Sequence, residues 1–175
     1  AALDDRGARM GWPVQEGVFE AGDLPLHRGG TLKRARIVWR HRQRTALITL
    51  RRDGALRQLG RVKRLEWLSL WKTPVTDAGM QHLAGLPKLT SLRLAETAVG
   101  DAGLAEIAKI ESLEELDLEL LRISDQGLAQ LKNLKSLKRL NIAMVVVSDE
   151  AVTALQAAIP GLQVLRWRIP GGWPL

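Results

Sequence analysis

Four aspartates stand 24 residues apart, Asp77, Asp101, Asp125 and Asp149, and three more acids alternate along one short stretch, Glu115, Asp117 and Glu119. Carboxylates brought together in this way could hold a metal ion or divide the acid and base roles of a hydrolytic reaction. That chemistry wants a histidine or a pocket-forming loop beside it. His27, His41 and His82 are scattered, with no metal-ligand spacing and no Ser or Cys partner, and the chain has no cysteine and no glycine-rich phosphate loop. The four aspartates follow Thr76, Gly100, Ser124 and Ser148, the composition of a helix start. There Ser and Thr cap free backbone N–H groups and Asp favours the positive helix end. The sequence therefore predicts helix capping at these positions, and no catalytic residue, metal site, cofactor or small-molecule substrate.

The other chemistry-bearing group is basic. Up to Arg64 there are fifteen Lys and Arg against six Asp and Glu; from Leu65 onward there are eleven against thirteen. Arg34, Arg36, Arg40, Arg42 and Arg44 alternate with Trp39 and His41 nearby. Arginine offers planar, bidentate recognition of phosphate or carboxylate, and a clustered basic face is the footprint of nucleic-acid binding. These five arginines are the candidate anion-binding residues, for nucleic acid, an acidic surface or an acidic protein. A solvated cap surface explains the same charges.

The elements that would position these groups come from a repeat. Leu65-Glu66-Trp67-Leu68-Ser69-Leu70 returns at Leu89–Leu94, Leu113–Leu118 and Leu137–Ile142, each 24 residues on, with a fifth copy at Leu162–Trp167 after 25. A second half returns in phase: Val75-Thr76-Asp77-Ala78-Gly79-Met80, then Val99–Leu104, Ile123–Leu128 and a looser Val147–Val152. Such periods mark a stacked solenoid. The two-part motif resembles the leucine-rich repeat family, most like its 24- to 26-residue cysteine-containing and bacterial types. The post-strand position usually filled by Asn or Cys holds Thr73, Thr97, Leu121 and Val145, so apolar packing replaces half of the polar ladder. The resemblance covers about two-thirds of the chain and implies an α/β solenoid, with a parallel sheet on the concave face and helices on the convex face.

Within the 175 residues, one domain is expected, divided into an N-terminal extension and cap (1–44) and a repeat domain (45–175). The repeat domain comprises a degenerate first repeat (45–64), full repeats (65–161) and a C-terminal cap (162–175). Residues 17–39 read as a β-hairpin cap, from Val18–Ala21 and Leu24–Leu26 through the Arg28-Gly29-Gly30 turn to Ala35–Trp39. Thr45–Leu50 reads as a strand. Gly79, Gly103 and Gly127 suggest close packing of helix on strand, and Leu83, Leu86, Ile107, Ile110, Leu131, Leu134, Leu155 and Ile159 the inner face of the helices. No apolar run approaches the ~18 residues of a membrane span. The absence of cysteine favours a reducing compartment, the cytoplasm or an organelle interior.

Alternation along each strand assigns the outward side chains to three columns. They are Trp67, Ser91, Glu115, Arg139, Val164; then Ser69, Arg93, Asp117, Asn141, Arg166; then Trp71, Ala95, Glu119, Ala143, Arg168. A curved sheet with varied side chains is a recognition surface. The expected function is non-catalytic protein–protein interaction, as a subunit or adaptor of a larger assembly, through Trp67, Trp71, Arg93, Glu115, Asp117, Glu119, Arg139, Arg166 and Arg168. The acidic trio with its arginine neighbours reads equally as an internal salt-bridge lattice. The alternative function is association with nucleic acid or an anionic surface through the Arg-rich segment.

Overall fold

The computed structural model describes residues 36–40, 45–49 and 56–167, the first two stretches and Gln58 as backbone only. The chain forms the expected α/β solenoid. Strands β1 (Arg36–Arg40) and β2 (Thr45–Thr49) pair antiparallel; β3 (Trp67–Ser69), β4 (Ser91–Arg93), β5 (Glu115–Asp117), β6 (Arg139–Asn141) and β7 (Gln163–Leu165) then add in parallel, in sequence order. Between them lie α1 (Leu56–Leu59), α2 (Asp77–Met80), α3 (Asp101–Ile107), α4 (Asp125–Gln130), extended by the 3-10 turn Leu131–Asn133, and α5 (Asp149–Ala158). The hairpin thus joins β1 to β2 and spans the expected boundary at residue 44. The arm read at residues 18–26 lies outside the described residues.

Strands β3 to β7 are three residues long because only three residues per rung face a neighbour in extended form. Leu68, Leu92, Leu116 and Leu140 pair in direct register and are buried, as are Leu65, Leu70, Leu89, Leu94, Leu113, Leu118 and Ile142. The helix-side residues Leu83, Leu86, Ile107, Ile110, Leu131, Leu134, Leu155 and Ile159 close the same core. After β3, β4, β5 and β6 the chain turns through a left-handed residue, Lys72, Glu96, Leu120 and Met144, with φ of 55, 57, 60 and 61°. Just beyond, the Thr73 and Thr97 hydroxyls donate to the Leu70 and Leu94 carbonyls at 2.5 and 2.8 Å, while Leu121 and Val145 are buried as apolar substitutes.

The aspartates cap helices, but each serves the next rung. Asp77 Oδ1 accepts from the N–H groups of Gly100 (2.7 Å) and Gly103 (2.9 Å). Gly100 is the N-cap of α3 and has no side chain to offer, so the preceding rung supplies the oxygen. Asp101 accepts from the Ser124 N–H (2.9 Å) and hydroxyl (2.5 Å), and Asp125 from the Ser148 N–H (2.8 Å). Ser124 and Ser148 in turn cap α4 and α5 through the N–H groups of Gly127 and Ala151. This ladder corrects the reading of the glycines. A Cβ on Gly103 would stand 2.5 Å from Asp77 Oδ1, and one on Gly127 2.5 Å from Asp101 Cγ and closer still to its Oδ1. Gly127 admits the previous rung's carboxylate; Gly103 admits both that carboxylate and the packing of Val99, whose Cγ1 would lie 2.6 Å from the added Cβ. At the end of α5, Lys135 donates to the Ala158 carbonyl (2.9 Å), the favourable sign for a cation there, and Lys63 donates to the Gly85 carbonyl (2.7 Å) in the turns beyond α2.

The last rung also departs from expectation. Gln163, not Val164, pairs with Arg139, Val164 with Leu140, and Leu165 with Asn141. A one-residue shift turns every side chain to the other face. Val164 packs against the core, and Arg166 runs inward to the Asp149 carboxylate and the Val147 carbonyl. The physical reason is the partner of the last aspartate: where earlier ones meet the next helix, Asp149 meets the Arg166 guanidinium. Arg166 is therefore not a concave-face residue.

Candidate functional site

The concave face carries the remaining columns in register: Trp67, Ser91, Glu115, Arg139, Gln163; Ser69, Arg93, Asp117, Asn141, Leu165; and, where the strands end, Trp71, Ala95, Glu119, Ala143, Trp167. Short side chains and tight 24-residue stacking let neighbours on successive rungs reach each other. The result is a lattice. Asp117 is buried; its Oδ1 accepts from Asn141 Nδ2 (2.9 Å) and the Glu119 N–H (3.1 Å), and its Oδ2 lies 2.9 Å from Arg93 Nε. That last contact is an ion pair whose N–H is off the line of a straight hydrogen bond. Burial pushes the Asp117 carboxyl above its ordinary pKa, against the Glu119 N–H, the Arg93 charge and the Asn141 amide, which all pull it down.

Glu115 accepts from the Ser91 hydroxyl (3.3 Å) and pairs with Arg139; Glu119 takes a long contact from Asn141 Nδ2 (3.5 Å). Each member of the acidic trio therefore has a partner on a neighbouring rung. Among the described residues no group of three or more His, Asp or Glu side chains could hold a metal ion.

The first rungs differ from this closed centre. Trp71 remains 43% exposed although it is held on three sides. Its Nε1 donates to Glu96 Oε1 (2.9 Å), Lys72 Nζ lies 4.7 Å from the ring centroid, and the Arg93 guanidinium carbon lies 5.1 Å from it. Lys72 also pairs with Glu96 at 3.4 Å. Trp67, four residues earlier, is half-buried, and Ser69, between them in the chain, is buried.

Of the residues singled out from the sequence, Trp67, Trp71, Arg93, Glu115, Asp117, Glu119 and Arg139 share this face. Arg168, Arg34, Arg42 and Arg44 lie outside the described residues, and Arg36 and Arg40 stand on β1 without described side chains. Sequence reasoning missed Lys72 and Glu96, which clamp Trp71; they occupy equivalent positions 24 apart, a signal that columns drawn only from the strands do not include. It also missed Trp167, 62% exposed on the last rung.

A family model described as Leucine Rich repeat matches residues 85–108, the unit that runs through β4 into α3. No curated protein sequence matches the chain. Solved structures similar to it include an internalin of Listeria monocytogenes (15% identity, 65% of this chain and 38% of that one, TM-score 0.45). A leucine-rich repeat protein of Leptospira interrogans shares 19% identity over 62% of this chain and 33% of its own, with a TM-score of 0.44. A plant peptide hormone receptor, RGFR1 in complex with RGF2, shares 14% identity over 64% and 22%, with a TM-score of 0.41. The chain spans well under half the length of each.

Proposed function

We propose that this leucine-rich repeat protein is a protein-binding module, acting as an adaptor or subunit of a larger assembly, and that it docks its partner at the Trp71 end of the concave face. The observation that carries this reading is the state of Trp71. A tryptophan left to solvent for want of space would be free to turn; this one is fixed by Glu96, Lys72 and Arg93 and still presents much of its ring. A large side chain already ordered loses little conformational entropy on binding, which is why Trp and Arg dominate binding hot spots. In the acidic trio, by contrast, Glu115 and Asp117 already pair with Arg139 and Arg93.

The test separates contact from packing. Trp71→Ala leaves Leu65, Leu68 and Leu70 in place, so the melting midpoint stays within about 2 °C of wild type, the range for a surface change. Capture of the partner that co-purifies with the wild-type chain is lost. A drop of several degrees with capture retained would assign Trp71 to packing and move the interface elsewhere.

A second reading rests on charge. Arg57, Arg61, Lys63 and Arg64 are exposed at the first rung, with Lys88 one repeat beyond Arg64. They extend the basic character of the Arg34–Arg44 segment, and this surface would take a phosphate-bearing polymer or an acidic protein.

A further inference from the structure

The two rims of the sheet carry different surfaces. Where helices lead into strands, the exposed side chains include many charged ones, Lys63, Arg64, Lys88, Glu111 and Lys135 among them. Where strands lead out, the third to fifth rungs expose apolar ones: Leu120 (40%), Val146 (78%) and Trp167 (62%). Backbone hydrogen bonds make these rungs adjacent, Leu120 N–H to the Ala143 carbonyl (3.1 Å) and Met144 N–H to the Trp167 carbonyl (3.0 Å). Val146 also borders a shallow hollow with Ser124, Asp125 and Ser148.

Two further observations bear on this patch. Leu120 and Met144 hold left-handed backbone, φ 60 and 61°, where a bulky side chain costs roughly 1–2 kcal/mol and glycine or asparagine fits better. The equivalent positions on earlier rungs hold the polar Lys72 and Glu96, so the geometry does not itself require an apolar residue. Second, two exposed charges flank the patch with no ion-pair partner among the described residues, Arg122 on the third rung and Glu150 on the fourth. A surface with one unpaired charge of each sign on adjacent rungs is complementary to itself.

We propose that this exit rim is the contact face of a homodimer. A two-fold axis between the third and fourth rungs lays the third rung of one protomer on the fourth of the other. Leu120 then meets the partner's Met144, and Val146 packs along the methylene stem of the partner's Arg122. Each Arg122 guanidinium faces the partner's Glu150, and symmetry makes every contact twice. An apolar patch of this kind covers roughly 300–600 Å², below the ~800 Å² per side of a stable complex, so the dimer is weak and dissociates on dilution.

Sedimentation equilibrium of the full chain, from low to high micromolar concentration, tests this. The weight-average mass rises toward twice the monomer value. Val146→Glu, at an exposed position, keeps the wild-type melting curve and abolishes the rise. Arg122→Glu and Glu150→Arg each raise the dissociation constant at least about tenfold through like-charge contact, and the double exchange returns it toward wild type. Trp71→Ala leaves the dimer intact, which separates this contact from the concave-face site. A monomer across the whole range overturns the proposal, as does a dimer that survives Val146→Glu or a double exchange no better than the single ones.

Discussion

Gly127→Ala sets two physical effects against each other, and the structure decides the sign. Gly127 lies in the first turn of α4, where helix propensity alone predicts that alanine stabilises by up to about 1 kcal/mol. The new Cβ, however, falls 2.5 Å from Asp101 Cγ. The side chain of Asp101 is short and pinned by the Ser124 N–H (2.9 Å) and hydroxyl (2.5 Å), so it cannot swing aside without giving up both. Each charge-assisted bond contributes about 1.5–3 kcal/mol where it is sheltered. Ser124 is exposed, so water recovers much of that. Overpacking adds about 1–3 kcal/mol. With the propensity gain subtracted, the net is a loss of about 2 kcal/mol, or about 4–8 °C in melting temperature for a chain of this size.

The assay is a double-mutant cycle in urea. In an Asp101→Ala background the nearest remaining obstacle is the Asp101 Cβ position, 3.1 Å away, so Gly127→Ala there is close to neutral. The coupling between the two sites is about 2 kcal/mol, within the range for residues in contact. If Gly127→Ala stabilises the wild-type chain, or costs the same in both backgrounds, the rung-to-rung ladder does not determine these glycines.

Three other outcomes are expected. Leu116→Ala, at a fully buried position in the central rung, costs about 2–5 kcal/mol; hydrogen exchange should accelerate in β4 and β6 as well as β5, since each rung is supported by its neighbours. Two aspartates make stability respond to pH in opposite directions. The Ser148 N–H and hydroxyl, with help from Arg166, hold the Asp125 carboxyl below its ordinary pKa, so its contribution is present above that ordinary value and is lost as pH falls through the lower folded one. Burial holds Asp117 above the ordinary value, so stability falls as pH rises from that value through the folded one. In urea melts across that range, Asp125→Asn flattens the acid limb and Asp117→Asn flattens the decline above it; unchanged slopes refute the assignments. For the basic surface, retention on heparin falls steeply with salt through counterion release, and neutralising Arg34, Arg36, Arg40, Arg42 and Arg44 removes it without lowering the melting temperature. A chain that ignores heparin at low salt excludes the phosphate reading.

The solenoid was legible because its cause is periodic. Leu68, Leu92, Leu116 and Leu140 must each fill the same inward position, so one constraint is written four times and reads above the noise. The rung-to-rung ladder is periodic too, yet its direction was not legible. An aspartate after Ser or Thr looks the same in sequence whether it serves its own helix or the next, and only the Gly100 N-cap, with no oxygen of its own, hints at a donor from elsewhere. The left-handed exits were hidden because Lys72, Glu96, Leu120 and Met144 are not residues that mark such a backbone; the stacked rungs impose it. Arg166 shows the limit from the other side. Its neighbours Leu162, Leu165 and Trp167 match the leucine pattern best at a spacing of 25, but the sheet keeps its hydrogen bonds at 24, with Gln163 N–H on the Lys138 carbonyl (2.9 Å) and Ile142 N–H on the Leu165 carbonyl (2.9 Å). Side-chain pattern is a vote by the core, and at β7 that vote is weak, since Val164 and Leu165 are only half-buried. There the backbone ladder and the Asp149 carboxylate, paired with Arg166, outweigh it. The same reasoning bears on the binding face: residues whose partners lie one rung away, such as Asp117 and Arg93, are fixed by the solenoid, while Trp71, held but still open, is where a partner has something left to gain.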